Sequence, residues 1–178
     1  MMVVCRNCFV EALIGAGLLF AISCNPVKKA VGNIQFANNS VVAHRGAFKK
    51  NNFPENSIAS LKEAIRLGCT GSEFDVRMTA DDSLIINHDP QYNKLDIEKT
   101  NYADLLKYKL SDGEKLPTLR EYILAGITDN IATQLVCEIK PSEISKERGK
   151  NIAEKTVNLI HSLKAEKSVT YISFDYDI

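Results

Sequence analysis

The chain has 178 residues, of which 45% are hydrophobic and 25% charged, with 22 basic and 22 acidic side chains. These proportions exclude a disordered or repetitive polymer and describe a globular protein, with one domain and a real core as the expectation from length. A net charge of zero argues against a nucleic-acid binder working through a general basic field, although it leaves room for a local positive pocket around a phosphate.

Residues 1–24 read MMVVCRNCFVEALIGAGLLFAISC. Arg6 supplies a positive start, Ala12 to Ile22 is an uncharged apolar run of eleven residues, and small residues lead to Cys24. A helix needs about 20 residues to cross the hydrocarbon core of a bilayer, so the run is too short to span one. It reads as a signal peptide over residues 1–23 of the bacterial lipoprotein type, with lipid carried on Cys24. The alternative is a buried N-terminal helix, since the run is also core-sized. Residues 24–39 are polar and turn-rich and read as a tether, which leaves residues 40–178 as the domain. The expected location is then extracytoplasmic, in the periplasm or cell envelope, with the chain held at the membrane through its anchor. Cys5 and Cys8 have the spacing of a redox or zinc half-site, but no second pair follows at zinc spacing, so the motif reads as incidental. Cys69 and Cys137 could pair, yet Cys137 lies in an apolar strand-like run where a buried free thiol is favoured.

Val41 to Ala43 is a short β-branched run that reads as strand one, ending in His44-Arg45-Gly46. After Pro54, Asn56 is a good helix N-cap, and Ile58, Leu61, Ala64, Ile65 and Leu67 follow at helical spacing up to Gly68. Strand two is expected over Gly71–Val76 and strand three over Ser83–Asn87, with a turn at Asp81-Asp82. From Gln91 to Lys115 the pattern loosens, and Leu105, Leu106, Tyr108 and Leu110 suggest a short helix within an insertion. Thr118 to Glu121 form a capping box directly after Pro117, so a helix should run from Leu119 to about Ala125. Gln134–Ile139 is the expected strand four. A polar-faced helix then carries Ala153, Val157, Ile160 and Leu163 on one side, and Val169–Phe174 is strand five.

Alternating strands and helices imply a parallel α/β sheet, either doubly wound or a (β/α)8 barrel. A doubly wound nucleotide-binding sheet needs closely spaced glycines in its first turn, and Gly46 stands alone. Polar residues instead end the first four expected strands, which is how barrels build a site at their C-terminal face.

Residues two apart on a strand share a face, so Glu73 and Asp75 point together, as do Glu138 and Lys140. If both pairs face the barrel axis, three carboxylates converge there. Buried like charges need neutralising, and oxygen-only ligands favour Mg2+, Mn2+ or Ca2+ over zinc. The competing reading is that these are solvent-facing strand positions. His44 and His88 suit acid–base work near neutral pH, whereas His161 sits in a helix without such company and reads as surface. Arg45 and Lys140 could hold phosphate oxygens or simply pair with the nearby carboxylates. Glu55 could orient Arg45, contact a substrate or favour the following helix dipole. Asn56 reads as a cap and Asp89 as a structural residue of the turn set by Pro90.

In order along the chain, His44-Arg45-Gly46, Pro54-Glu55-Asn56-Ser57, Glu73-Phe74-Asp75-Val76, His88-Asp89, Pro117-Thr118-Leu119, Glu138-Ile139-Lys140 and Ser173-Phe174-Asp175 resemble the motifs of the glycerophosphodiester phosphodiesterase family, from about Ser40 onward. The resemblance implies a TIM barrel with an insertion after its third strand. It implies metal-dependent hydrolysis of a small glycerophosphodiester, such as glycerophosphocholine, to an alcohol and glycerol 3-phosphate. The substrate's own glycerol hydroxyl would attack phosphorus, and water would open the cyclic phosphate. Glu73, Asp75 and Glu138 would bind the divalent metal (Ca2+ or Mg2+, with Mn2+ also compatible), His44 and His88 would be the acid–base pair, and Arg45 and Lys140 would contact phosphate. A TIM barrel has eight strands and typically about 250 residues, while only about five strands are visible here, so the barrel reads as C-terminally incomplete. Two alternatives follow. One is a catalytically incomplete or merely binding remnant of the same barrel. The other is a phospholipase-type phosphodiesterase acting on intact lipids.

Overall fold

The computed structural model describes residues 39–178. The expected signal peptide, Cys24 and all but the end of the tether lie outside the described residues. Strand β1 (Asn39–Ala43) leads through a loop to helix α1 (Ile58–Arg66) and strand β2 (Cys69–Met78). A short strand β3 (Leu84–Ile86) precedes the insertion, which holds the hairpin β4 (Gln91–Tyr92) and β5 (Leu95–Asp96) and the single-turn helix α2 (Tyr102–Leu105). Helix α3 (Leu119–Ile127), strand β6 (Gln134–Ile139), helix α4 (Lys146–Ser162) and strand β7 (Val169–Ile172) complete the order.

Strands β1, β2, β6 and β7 lie side by side in that order, all parallel, with the register Ala43↔Ser72, Asp75↔Glu138 and Glu138↔Ile172. Helices α1, α3 and α4 each lie between successive parallel strands in the chain, as parallel crossovers require. The expected third barrel strand behaves differently. β3 pairs antiparallel with the end of β2, through Val76↔Ile86 and Met78↔Leu84. The reason is connection length: only Thr79–Ser83 separate the two strands, and a parallel crossover needs a dozen residues or more. Thr79 and Ser83 close the turn, with the Thr79 N–H donating to the Ser83 carbonyl and Asp82 at a left-handed φ of 60°. The described sheet therefore contains four parallel strands plus one antiparallel arm, where five parallel strands were expected.

Alternation along β2 divides the chemistry from the core. Phe74, Val76 and Met78 face the helices and join Leu61, Leu119, Tyr122, Ile123, Leu135, Cys137, Ile152 and Ile160 in one buried cluster. Each such fully buried side chain contributes roughly 1.5–3 kcal/mol. Phe74 and Tyr122 meet with ring centroids 4.7 Å apart. Cys69 and Cys137 are both buried and free, and burial pushes the Cys137 thiol far up.

Helices α3 and α1 each begin at a capping box. The Thr118 capping box is present, with the Thr118 Oγ1 accepting from the Glu121 N–H and the Glu121 carboxylate accepting from the Thr118 N–H. Helix α1 is capped by Ser57, reciprocally with Ser60, not by Asn56. Asn56 stands one residue earlier in a left-handed conformation (φ 57°), which asparagine tolerates better than most residues. The insertion folds around its own small cluster of Ile85, Ile97, Leu105 and Leu116, and its helix ends at Leu105, short of Tyr108 and Leu110.

Gly46 locks the β1–α1 loop. Its φ is +79°, and a Cβ placed there would lie 2.4 Å from Ser60 Oγ and 2.8 Å from the Ser60 carbonyl carbon. Backbone cannot yield as a flexible side chain does. The substitution Gly46→Ala should therefore cost about 2–4 kcal/mol, combining left-handed strain with overpacking. Urea denaturation would read this as a lower midpoint at unchanged slope; an unchanged midpoint would contradict the account.

Candidate active site

The inner face of the sheet carries Glu73 and Asp75 on β2 and Glu138 on β6. One oxygen from each lies within 4.8 Å of the other two, and all three residues are buried. Register explains the convergence, because Asp75 pairs with Glu138 and Glu73 follows two residues behind on the same face. Sequence reasoning placed these three together, and the structure brings them together.

Lys140 is the internal counter-charge. Its Nζ lies 2.5 Å from Glu138 Oε1 and 2.9 Å from Asp75 Oδ1. The first contact is a hydrogen bond, whereas the second is an ion pair off the hydrogen-bonding direction, so Asp75 Oδ1 stays without a hydrogen-bond donor. Glu73 Oε1 is likewise buried without one, while Glu73 Oε2 accepts from the Arg45 backbone N–H at 2.7 Å. Burial pushes the Glu73 carboxyl up to about 7, helped by the charges of Asp75 and Glu138 and opposed by the Arg45 N–H and Lys140. Two buried carboxylate oxygens without donors, in an oxygen-only set that one lysine leaves underneutralised, fit a hard divalent cation.

His44 and Arg45 reach the site from the end of β1. His44 Nε2 is 3.9 Å from Glu73 Oε2, with the ring itself largely exposed. The left-handed φ of Arg45 (56°) accompanies the turn in which its N–H meets Glu73. The Arg45 guanidinium is gripped by Glu55, whose two oxygens lie 3.0 and 3.1 Å from Nη1, and its Nε is 3.9 Å from Asp75 Oδ2. Of the three readings open for Glu55, orientation of Arg45 is the one the contacts support.

His88 arrives by the antiparallel arm, not from the end of a parallel strand. Asn87 donates its N–H to the Asp75 carbonyl, and the His88 carbonyl accepts from Arg77 Nε at 2.8 Å. Asp89, expected as a turn residue only, lies 2.7 Å from His88 Nδ1, and this contact holds its carboxyl below the usual carboxylate range. Arg77 was missed, although it continues the Glu73, Asp75 alternation by one more step and is buried. Asn56 was also missed: its amide is buried against Asp75, donating from Nδ2 to Oδ2 at 2.8 Å and accepting the Asp75 N–H at 3.2 Å. The signal was that Asn56 and Ser57 are adjacent cap candidates, and only one can cap. His161 is exposed on α4, as expected.

The sequence profile of the glycerophosphoryl diester phosphodiesterase family matches residues 44–178. A glycerophosphodiester phosphodiesterase of Caldanaerobacter subterraneus subsp. tengcongensis is 32% identical over 150 residues, covering 76% of this chain and 58% of that protein. The crystal structure of a glycerophosphodiester phosphodiesterase from Parabacteroides distasonis superposes with a TM-score of 0.73 at 37% identity, over 80% of this chain and 59% of that one. A phosphodiesterase from Oleispira antarctica, solved in complex with the product sn-glycerol 3-phosphate, gives a TM-score of 0.61 at 25% identity, over 78% of this chain and 58% of that one. The chain thus spans a little under three fifths of the length of these relatives. The likeness assigns the parallel sheet and its crossover helices to a TIM-barrel-like α/β fold. Motif order, fold and profile agree, and the chain belongs to the glycerophosphoryl diester phosphodiesterase family.

Proposed function

We propose that this site hydrolyses small glycerophosphodiesters to an alcohol and glycerol 3-phosphate, using a divalent cation and histidine acid–base catalysis. The observation that carries the reading is the buried cluster of Glu73, Asp75 and Glu138, with one lysine for three carboxylates and a histidine adjoining it. The Oleispira antarctica phosphodiesterase and its bound sn-glycerol 3-phosphate support the substrate class.

Glu73, Asp75 and Glu138 would hold Mg2+, Mn2+ or Ca2+, which when bound supplies electrostatic stabilisation of the charge growing on the phosphate oxygens. Arg45, held in orientation by Glu55, and Lys140 would bind phosphate oxygens, the first through its planar fork and the second as a point charge. With Nδ1 tied to ionised Asp89, His88 keeps Nε2 for moving a proton. His44 stands beside Glu73 with its ring open to solvent and substrate. One histidine would take the proton of the attacking glycerol hydroxyl, and the other would give a proton to the leaving alcohol. The lipid anchor at Cys24 and the extracytoplasmic location belong to the same proposal and rest on residues 1–24 alone. Mass spectrometry should find a mature chain beginning at a diacylated Cys24; an intact Met1 would remove the anchor.

Hydrolysis of glycerophosphocholine by the full chain should stop in chelator and return with added cation. His88→Ala should lower the rate about 10²–10⁴-fold while leaving cation binding in place. Turnover that persists in chelator, or in His88→Ala, would contradict the mechanism. Release of choline phosphate, or a preference for the diacyl lipid, would indicate a different phosphodiester cleavage.

Glu73 also sets a pH dependence. Its carboxyl is raised to about 7, so the folded cation-free chain binds this proton more tightly than the unfolded chain does. The group's contribution to stability is therefore full below its unfolded value and is lost as pH rises through about 7. A cation needs the ionised form, so its binding below pH 7 must expel the proton, and affinity should fall as pH drops. Added MgCl2 should raise the melting temperature more at pH 8 than at pH 5.5; equal shifts at both would contradict this assignment.

A further inference from the structure

The edge of β2 changes partners at the cation site. β1 pairs with β2 only as far as Ala43↔Ser72, and the β3 arm begins at Val76↔Ile86. Asp75 falls in the gap between them. Its carbonyl is taken by the Asn87 N–H, but no strand offers an acceptor for its own N–H. The side chain of Asn56 does so, and the same amide turns its NH2 onto Asp75 Oδ2.

We propose that Asn56 is a positioning residue for the cation site, a prosthetic strand end whose single amide fixes both the backbone and the carboxylate plane of Asp75. With Oδ2 engaged, Oδ1, the buried oxygen without a hydrogen-bond donor, faces Lys140 and would be the atom offered to a cation. A carboxylate free to rotate would present either oxygen, whereas this one is held at both its backbone and its head.

The amide is itself fixed. Asn56 is buried, with 3% of its surface exposed, and its backbone N–H donates to the Arg45 carbonyl at 3.0 Å. The Arg45 N–H in turn holds Glu73 Oε2. One short path therefore links two of the three carboxylates: Asn56 holds Asp75 directly, and by binding the carbonyl of Arg45 it steadies the residue whose N–H, one peptide unit earlier, meets Glu73. The left-handed φ of 57° is what brings the amide back over β2 while Ser57 begins the helix. This is a role for asparagine, because aspartate would set a second carboxylate against Asp75 and glutamine would overfill a buried slot.

The inference rests on the cation reading above, and its test separates the two. Asn56→Gly keeps the left-handed backbone without strain and removes only the amide. Ser57→Ala is the control, since it weakens the cap of α1 without touching Asp75. Calorimetric titration of the full chain with MgCl2 and CaCl2, alongside thermal unfolding, should show Asn56→Gly binding at least about tenfold more weakly, the range seen when a ligand's supporting hydrogen bonds are removed. Ser57→Ala should melt earlier and bind as the parent does. Parent-like binding by Asn56→Gly overturns the proposal, as does equal weakening in Ser57→Ala, which would make the effect one of helix stability. If the parent chain itself binds neither ion, the cation reading fails and the proposal falls with it. If Asn56→Gly does not fold, nuclear magnetic resonance of the parent decides: the Asn56 side-chain amide protons should be protected from exchange and shift on adding cation, and rapid exchange without a shift overturns the role.

Discussion

Three carboxylates within 4.8 Å of one another, buried from water, repel each other and forfeit hydration. Taking even one carboxylate from water costs several kcal/mol unless opposite charge and hydrogen bonds compensate. Much of the local structure reads as that compensation. Lys140 bridges Asp75 and Glu138, the Arg45 peptide meets Glu73, Asn56 meets Asp75, and the Glu73 carboxyl keeps its proton up to about pH 7. What remains unbalanced is the capacity of the site for a divalent ion.

The same constraint explains why β2 is the axis of the structure. Its helix-facing side carries Phe74, Val76 and Met78 into the main core, while its other side carries Glu73, Asp75 and Arg77. Core packing on one face therefore holds the register that presents charge on the other. Beyond Ser72, β1 no longer pairs with β2, and that edge passes to loop groups and then to the β3 arm. The loop after β1 can then fold over the carboxylates, and the arm can bring His88 back toward them. Arg77 ties that return by holding the His88 carbonyl.

Much of this was legible in the sequence, and for physical reasons. Strands β1, β2 and β6 are short β-branched or alternating runs, and i, i+2 spacing alone puts Glu73 with Asp75 and Glu138 with Lys140 on shared faces. Thr118 to Glu121 is a strong local signal and starts a helix where it should. Long-range pairing is less legible. Leu84 to Ile86 has the composition of any buried strand, and only the five-residue link from β2 tells that it must turn back. Asn56 was misread because its local chemistry suits a cap and its partner, Asp75, is distant in sequence, whereas Asp89 meets its own chain neighbour, the His88 ring, at a position whose composition equally suits a turn.

The central claim is that Glu73, Asp75 and Glu138 form a single cation centre. Anomalous diffraction from crystals of the chain grown with MnCl2 tests it most directly. The account predicts one strong peak within coordination distance of all three carboxylates, about 2.0–2.6 Å as for hard cations bound by oxygen. A cluster without a peak, its charge met only by the protein's own Lys140 and Arg45, or a manganese ion bound elsewhere, would contradict it.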